Sequence, residues 1–128
     1  MQLDGKGNGK SYNLMKQFDN IMKTTFGKKI ELVSYYGPVQ MCVFGLEYKY
    51  LPLGYTIKAE CERGVITLGV INQEGKMFQP SMIYPQARYY HFADVVNDVK
   101  QLVELTFKAI NSNEIVFMNM QEELNKFT

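Results

Sequence analysis

Residues 55–71 read Tyr55-Thr56-Ile57-Lys58-Ala59-Glu60-Cys61-Glu62-Arg63-Gly64-Val65-Ile66-Thr67-Leu68-Gly69-Val70-Ile71. Ile57, Ala59 and Cys61 alternate with Thr56, Lys58, Glu60 and Glu62, the period of a strand with one face buried and one face wet. Arg63-Gly64 interrupts the pattern with the chemistry of a tight hairpin turn. That turn sets Ile57 opposite Val70, Ala59 opposite Leu68 and Cys61 opposite Ile66. A second turn, centred on Leu51-Pro52, sets Phe44 opposite Ala59, Leu46 opposite Ile57 and Tyr48 opposite Tyr55. Both hairpins gather their apolar residues on one face, as a one-sided core requires.

Working outward, five runs are bounded by turn residues: Ile30–Tyr36, Val39–Tyr50, Tyr55–Glu62, Val65–Asn72 and Lys76–Gln79. Connections this short make an antiparallel meander, because a parallel crossover needs about a dozen residues or more. The first run is irregular. A turn at Gly37-Pro38 aligns Ile30 and Leu32 with Val43 and Met41, on the face opposite Phe44, Ile57 and Leu68. Two explanations stand: an extra residue in that turn, or a sheet covered on both faces near this edge.

Helical periodicity flanks the meander. Leu14, Phe18, Ile21, Met22 and Thr25 recur at helical spacing over Tyr12–Phe26, with Ser11 placed as N-cap and Gly27 at the C-terminal stop. A longer helix is predicted from Ala93 to Asn111, its apolar stripe formed by Phe92, Val95, Val96, Val99, Leu102, Val103, Thr106 and Ile110. Glu114–Met118 reads as a short strand. Asn119 and Glu122 form a capping-box pattern for a last short helix ending at Phe127. Residues 80–92, with two Pro and three Tyr, read as an irregular aromatic connector. Residues 1–10 read as a flexible Gly/Lys-rich lead-in, and 11–128 as a single α+β domain: N-terminal helix, five-stranded antiparallel meander, long C-terminal helix packed on one sheet face, short terminal element. In element order this layout resembles cystatin-like and helix-grip folds, but no motif identifies a family.

Composition excludes several classes. The chain has 128 residues, 14 Lys+Arg against 13 Asp+Glu, and 46% hydrophobic residues, which fits one folded domain and excludes a disordered chain. No apolar run approaches the roughly 18–20 residues of a membrane helix, and the N-terminus shows no signal-peptide core. A cytoplasmic protein is therefore expected. Two Cys argue against a disulfide scaffold, and two Arg with a net charge of +1 argue against nucleic-acid binding. Charge is nonetheless uneven, with a basic first helix and an acidic last quarter that suit either internal complementarity or an oppositely charged partner.

Asp4-Gly5-Lys6-Gly7-Asn8-Gly9-Lys10-Ser11, followed by a helix, imitates a phosphate-binding P-loop. Only three residues precede it, too few for the strand that feeds such a loop, and no Asp-ending strand follows to hold Mg²⁺. The one histidine, His91, lies beside Tyr89 and Asp94, the residues around which any catalytic site would have to be built. A packed or capping role suits it better. A single His and two Cys do not supply a metal site, and no cofactor is expected. Cys42 and Cys61 read as neighbouring buried thiols rather than a redox pair. Nine Tyr and eight Phe, several on strand ends and the connector, supply either core or contact surface.

The expectation is a non-catalytic protein-binding module: a small inhibitor, immunity protein, secretion chaperone or phage-type counter-defence factor. Its contact residues are expected to be Lys49, Tyr50, Lys58, Glu60, Arg88, Tyr89 and Tyr90, on the polar sheet face and its aromatic margin. The edges at Ile30–Tyr36 and Lys76–Gln79 offer pairing with a partner or a second copy. The alternative is a small-ligand carrier with a pocket between sheet and long helix, with Gly45 and Gly69 leaving room for it.

Overall fold

The computed structural model describes residues 2–3, 9–40 and 43–118. A helix α1 (Lys10–Phe26) leads through a short 3-10 turn (Gly27–Lys29) into strands β1 (Ile30–Val39), β2 (Val43–Tyr50), β3 (Tyr55–Glu62) and β4 (Val65–Ile71). Two short strands follow, β5 (Met77–Phe78) and β6 (His91–Phe92), separated by 3-10 turns at Pro80–Met82 and Pro85–Arg88, and then helix α2 (Val96–Ser112). The strands form one antiparallel sheet in the order β1-β2-β3-β4, and β5 and β6 share the outer edge of β4. The α+β class, the antiparallel sheet between an N-terminal and a C-terminal helix, and the five predicted runs are all present; β6 is an addition, drawn from the connector.

The β3–β4 hairpin has the predicted register, Ile57 against Val70, Ala59 against Leu68 and Cys61 against Ile66. Arg63 and Gly64 both take positive φ, as a two-residue hairpin turn requires. The β2–β3 register differs from expectation by two residues. Phe44 opposes Cys61, Leu46 opposes Ala59 and Tyr48 opposes Ile57. The cause is the turn: Tyr50 pairs Tyr55, so the loop is the four residues Leu51–Gly54, closed by the Gly54 N–H donating to the Tyr50 carbonyl at 2.9 Å. A shift of two preserves the facing, so the one-sided core survives the correction.

The first strand resolves in favour of an extra residue, but inside the strand. Leu32 pairs Tyr48 while Ser34 pairs Glu47, so Val33 is a bulge. Ile30 and Leu32 thereby join Tyr50 and Tyr48 on the core face. The strand runs on through Gly37-Pro38, which is not its terminal turn, and Val39 pairs Val43. The expected alignment of Ile30 with Val43 is therefore replaced, and the expected positions of Met41 and Cys42 lie outside the described residues.

Helix α1 starts at Lys10, because Gly9 (φ 92) turns the chain there and its carbonyl accepts the first helical bond from Asn13 at 3.0 Å. Ser11 thus sits inside the first turn instead of capping it, and Lys10 belongs to the domain. Leu3, assigned to the lead-in, packs half-buried against the core. The buried stripe of α1 is Tyr12, Met15, Phe18, Met22 and Phe26, with Leu14 and Ile21 at its margin. Helix α2 begins at Val96, three residues later than predicted. It buries Val99, Leu102, Val103, Thr106 and Ile110 as expected, but Phe92, Val95 and Val96 are exposed. Phe26 links both helices to the sheet, its ring edge-on to Phe107 of α2 at 5.2 Å and to Tyr50 of β2 at 6.1 Å. Of the predicted Glu114–Met118 strand only a bridge from Met118 to Met77 forms; the last predicted helix lies outside the described residues.

Among the described residues three polar groups are buried, Asp19, His91 and Thr106, and Asp19 carries a charge. Asp19 of α1 accepts a hydrogen bond from the Tyr48 hydroxyl at 2.6 Å and an ion pair from Lys23 at 2.8 Å. Burial, and then the Asp19 carboxylate, push the Tyr48 phenol far above its ordinary value of 10.0. Above about pH 10 the unfolded chain releases a proton that the fold retains, so stability is full below that pH and declines above it. The slope is about 1.4 kcal/mol per pH unit for each such proton. Urea midpoints across this range are expected to fall less steeply in Tyr48→Phe than in the wild type.

Candidate functional site

Both helices pack on the core face, and among the described residues no helix covers the sheet's other face. The alternation in β3 sends Lys58, Glu60 and Glu62 onto it. Register adds Ser34 and Tyr36 from β1, Gly45, Glu47 and Lys49 from β2, Thr67 from β4 and Phe92 from β6, which pairs Val65. Glu47 lies directly opposite Lys58, their charged atoms 3.7 Å apart. Exposed pairs of this kind contribute little stability, so both groups remain available to a partner.

Tyr36 organises one margin of this face. It pairs Gly45, and its ring occupies the space over the glycine: a Cβ there would fall 2.6 Å from Cζ and 2.9 Å from Cδ1. An aromatic side chain covering a cross-strand glycine shields the backbone and fixes the ring. Tyr36 is still 52% exposed. Partial burial, followed by the carboxylates of Glu60 and Glu62, raises its phenol above the ordinary range. Ser34, Tyr36, Gly45, Glu47, Lys58 and Glu60 line a shallow groove of about 80 Å³.

The opposite margin is the edge of β4. Tyr89 and Tyr90 are 77% and 79% exposed, and Phe92 is 47% exposed. Both arginines of the chain flank them, Arg88 in the 3-10 turn before β6 and Arg63 in the turn that opens β4. Arg63 also lines a cleft of about 330 Å³ with Lys10, Ser11, Phe92 and Asp94, at the start of α1. The P-loop-like residues 4–8 lie outside the described residues.

Of the seven predicted contact residues, Lys49, Lys58 and Glu60 share the outer face, and Arg88, Tyr89 and Tyr90 stand exposed at its β4 margin. Tyr50 is a correction. It points into the core, edge-on to Phe26 and stacked on Tyr55 at 6.0 Å, because β2 presents its even-numbered residues to the helices. Tyr36 takes the place it was expected to hold. The Tyr36–Gly45 pairing is readable only once the Val33 bulge is known, since a one-residue error in register sends Tyr36 to the wrong face. Gly45 and Gly69 do not open an inner pocket: Gly45 lies under Tyr36, and Gly69 faces Met77. The edge at Lys76–Gln79 is occupied in part, because Met77 and Met118 exchange backbone hydrogen bonds at 2.7 and 2.9 Å.

The structure does not bring His91, Tyr89 and Asp94 into hydrogen-bond contact. His91 is buried while Tyr89 and Asp94 face solvent. Among the described residues no cluster of three or more His, Cys, Asp or Glu is placed to hold a metal, and no helix is long and apolar enough to cross a membrane. Cys61 is buried in the core. Comparison with protein-family models, curated proteins and solved structures returns no match.

Proposed function

We propose that this domain is a non-catalytic protein-binding module of the cytoplasm, in the class of small inhibitors, immunity proteins, secretion chaperones or phage-type counter-defence factors, and that it docks through the outer sheet face. The observation that carries this reading is the pair of aromatic margins on one polar surface. Tyr36 stands on the β1–β2 side, Tyr89, Tyr90 and Phe92 stand on the β4 side, and Lys58, Glu60 and Glu47 lie between them. Tyr and Arg dominate the energetics of protein interfaces, because they bury large area at little cost in side-chain entropy. Two adjacent tyrosines exposed to about four-fifths contribute nothing to the core that would explain them.

The test is a photo-crosslinking residue placed at Tyr36, at Tyr90 and, as a control, at Glu104 on the wet side of α2. Crosslinks to the same partner from the first two positions and not the third are expected in the native host. With that partner purified, Tyr89→Ala/Tyr90→Ala is expected to weaken binding about 100-fold, while the melting temperature stays within about 2 °C. Loss of binding on Lys16→Glu, with the double variant unaffected, would move the interface to α1.

A further inference from the structure

The edge of β4 is paired in two pieces. β5 covers Val70 and Ile71, β6 covers Val65 and Ile66, and among the described residues Thr67, Leu68 and Gly69 between them have no strand partner on that side. The chain that would have continued the edge strand instead leaves after Phe78, makes two 3-10 turns and returns at His91. The detour leaves a notch between sheet edge and α2 of about 150 Å³, with Leu68, Ala87 and Leu102 among its apolar walls and Ser81 and Arg88 among its polar ones.

His91 lines this notch and is only 5% exposed. It pairs Ile66, a core-facing residue, so its ring lies on the inner side of the sheet. Neither Nδ1 nor Nε2 has a hydrogen-bond partner among the described residues. A buried imidazole with both nitrogens unpaired is a costly arrangement, and buried polar groups in folded proteins are ordinarily satisfied. Arg88 lines the same notch. Its Nε donates to the Ser81 carbonyl at 3.4 Å, and its guanidinium enters no ion pair among the described residues. The remaining guanidinium N–H groups keep the fork that matches a carboxylate.

We propose that this notch is a binding site for a small monocarboxylic acid with a compact hydrocarbon body, its carboxylate held by Arg88 and His91 and its body against Leu68, Ala87 and Leu102. A dry apolar cavity of about 150 Å³ takes a benzene ring, which sets the size class. The unpaired donors set the charge. The notch shares its rim with the proposed docking face, since Arg88, Tyr89 and Tyr90 border both, whereas Tyr36 and Lys58 lie across the sheet and take no part in it.

His91 is the sole histidine, so its ring carbon and proton resonances are unambiguous in an NMR spectrum. Benzoate added to the full chain is expected to shift them saturably at millimolar concentration or below. Arg88→Gln, an exposed position that leaves the core untouched, is expected to weaken benzoate at least tenfold, and His91→Phe, which keeps the ring volume, to do the same in a competition measured by calorimetry. Benzyl alcohol, of similar shape without the charge, is expected to bind at least tenfold more weakly than benzoate. No saturable shift would overturn the proposal. Equal affinity for benzoate and benzyl alcohol, unchanged by Arg88→Gln, would overturn it too, by showing an apolar void only. Tyr36→Ala is expected to leave the titration unchanged whatever it does to partner binding.

Discussion

Ile57→Asp is expected to abolish folding, read as loss of the cooperative thermal transition and of the sheet signal in circular dichroism. Ile57 is fully buried at the centre of β3, between Tyr48 on one side and Val70 on the other. Neither neighbour offers a cation, and both offer apolar surface. An unpaired carboxylate there costs several kcal/mol, on top of the lost burial of the isoleucine. Small domains hold only about 5–15 kcal/mol in total, so the change consumes most or all of it. The adjacent Thr56→Asp supplies the control. Thr56 is half-buried on the outer face, opposite Lys49, and the same new charge there is expected to cost less than about 1 kcal/mol. Equal effects at the two positions would show that the sheet is not one-sided.

Asp19→Ala is expected to destabilise by about 2–3 kcal/mol, lowering the melting temperature by roughly 6–12 °C. The loss is larger than that of an ordinary hydrogen bond because it leaves the Tyr48 hydroxyl buried and unpaired within the core. Tyr48→Phe removes the donor but leaves Asp19 paired with Lys23, so it is expected to cost only about 1 kcal/mol. In the double variant the hydroxyl is gone, and the cost is expected to be no greater than that of Asp19→Ala alone. A strictly additive double variant would show that the two groups do not act as a pair. Lys23 reaches Asp19 from solvent, and Lys23→Ala is expected to cost less than about 1 kcal/mol.

Asp19 also illustrates a limit of reading by pattern. An aspartate between Phe18 and Asn20 on an amphipathic helix reads as a wet-side residue, and its neighbours at i−4 and i+3, Met15 and Met22, are what carry it inward. What makes its burial tolerable is Tyr48, a residue 29 positions away in β2. No local signal joins the two. Much the same holds for the candidate site. Lys58 and Glu60 are placed on the outer face by alternation alone, and Tyr89 and Tyr90 are exposed as a Pro-bounded connector suggests. Tyr36 required the bulge, and His91 required knowing that the connector returns to β4 as a strand.

The amino-acid sequence by itself determined the α+β class, the central hairpin and its facing, and the two amphipathic helices. Each of these rests on short-range physics: a period of two or 3.6, and turn residues whose allowed dihedrals dictate how the chain reverses. Tertiary structure alone decided the four-residue β2–β3 loop, the Val33 bulge and the notch that His91 lines. These depend on which side chains fill the space between sheet and helices. A bulge or a two-residue shift of register alters local preference very little, but it changes every contact across the layer, and core packing selects among such alternatives.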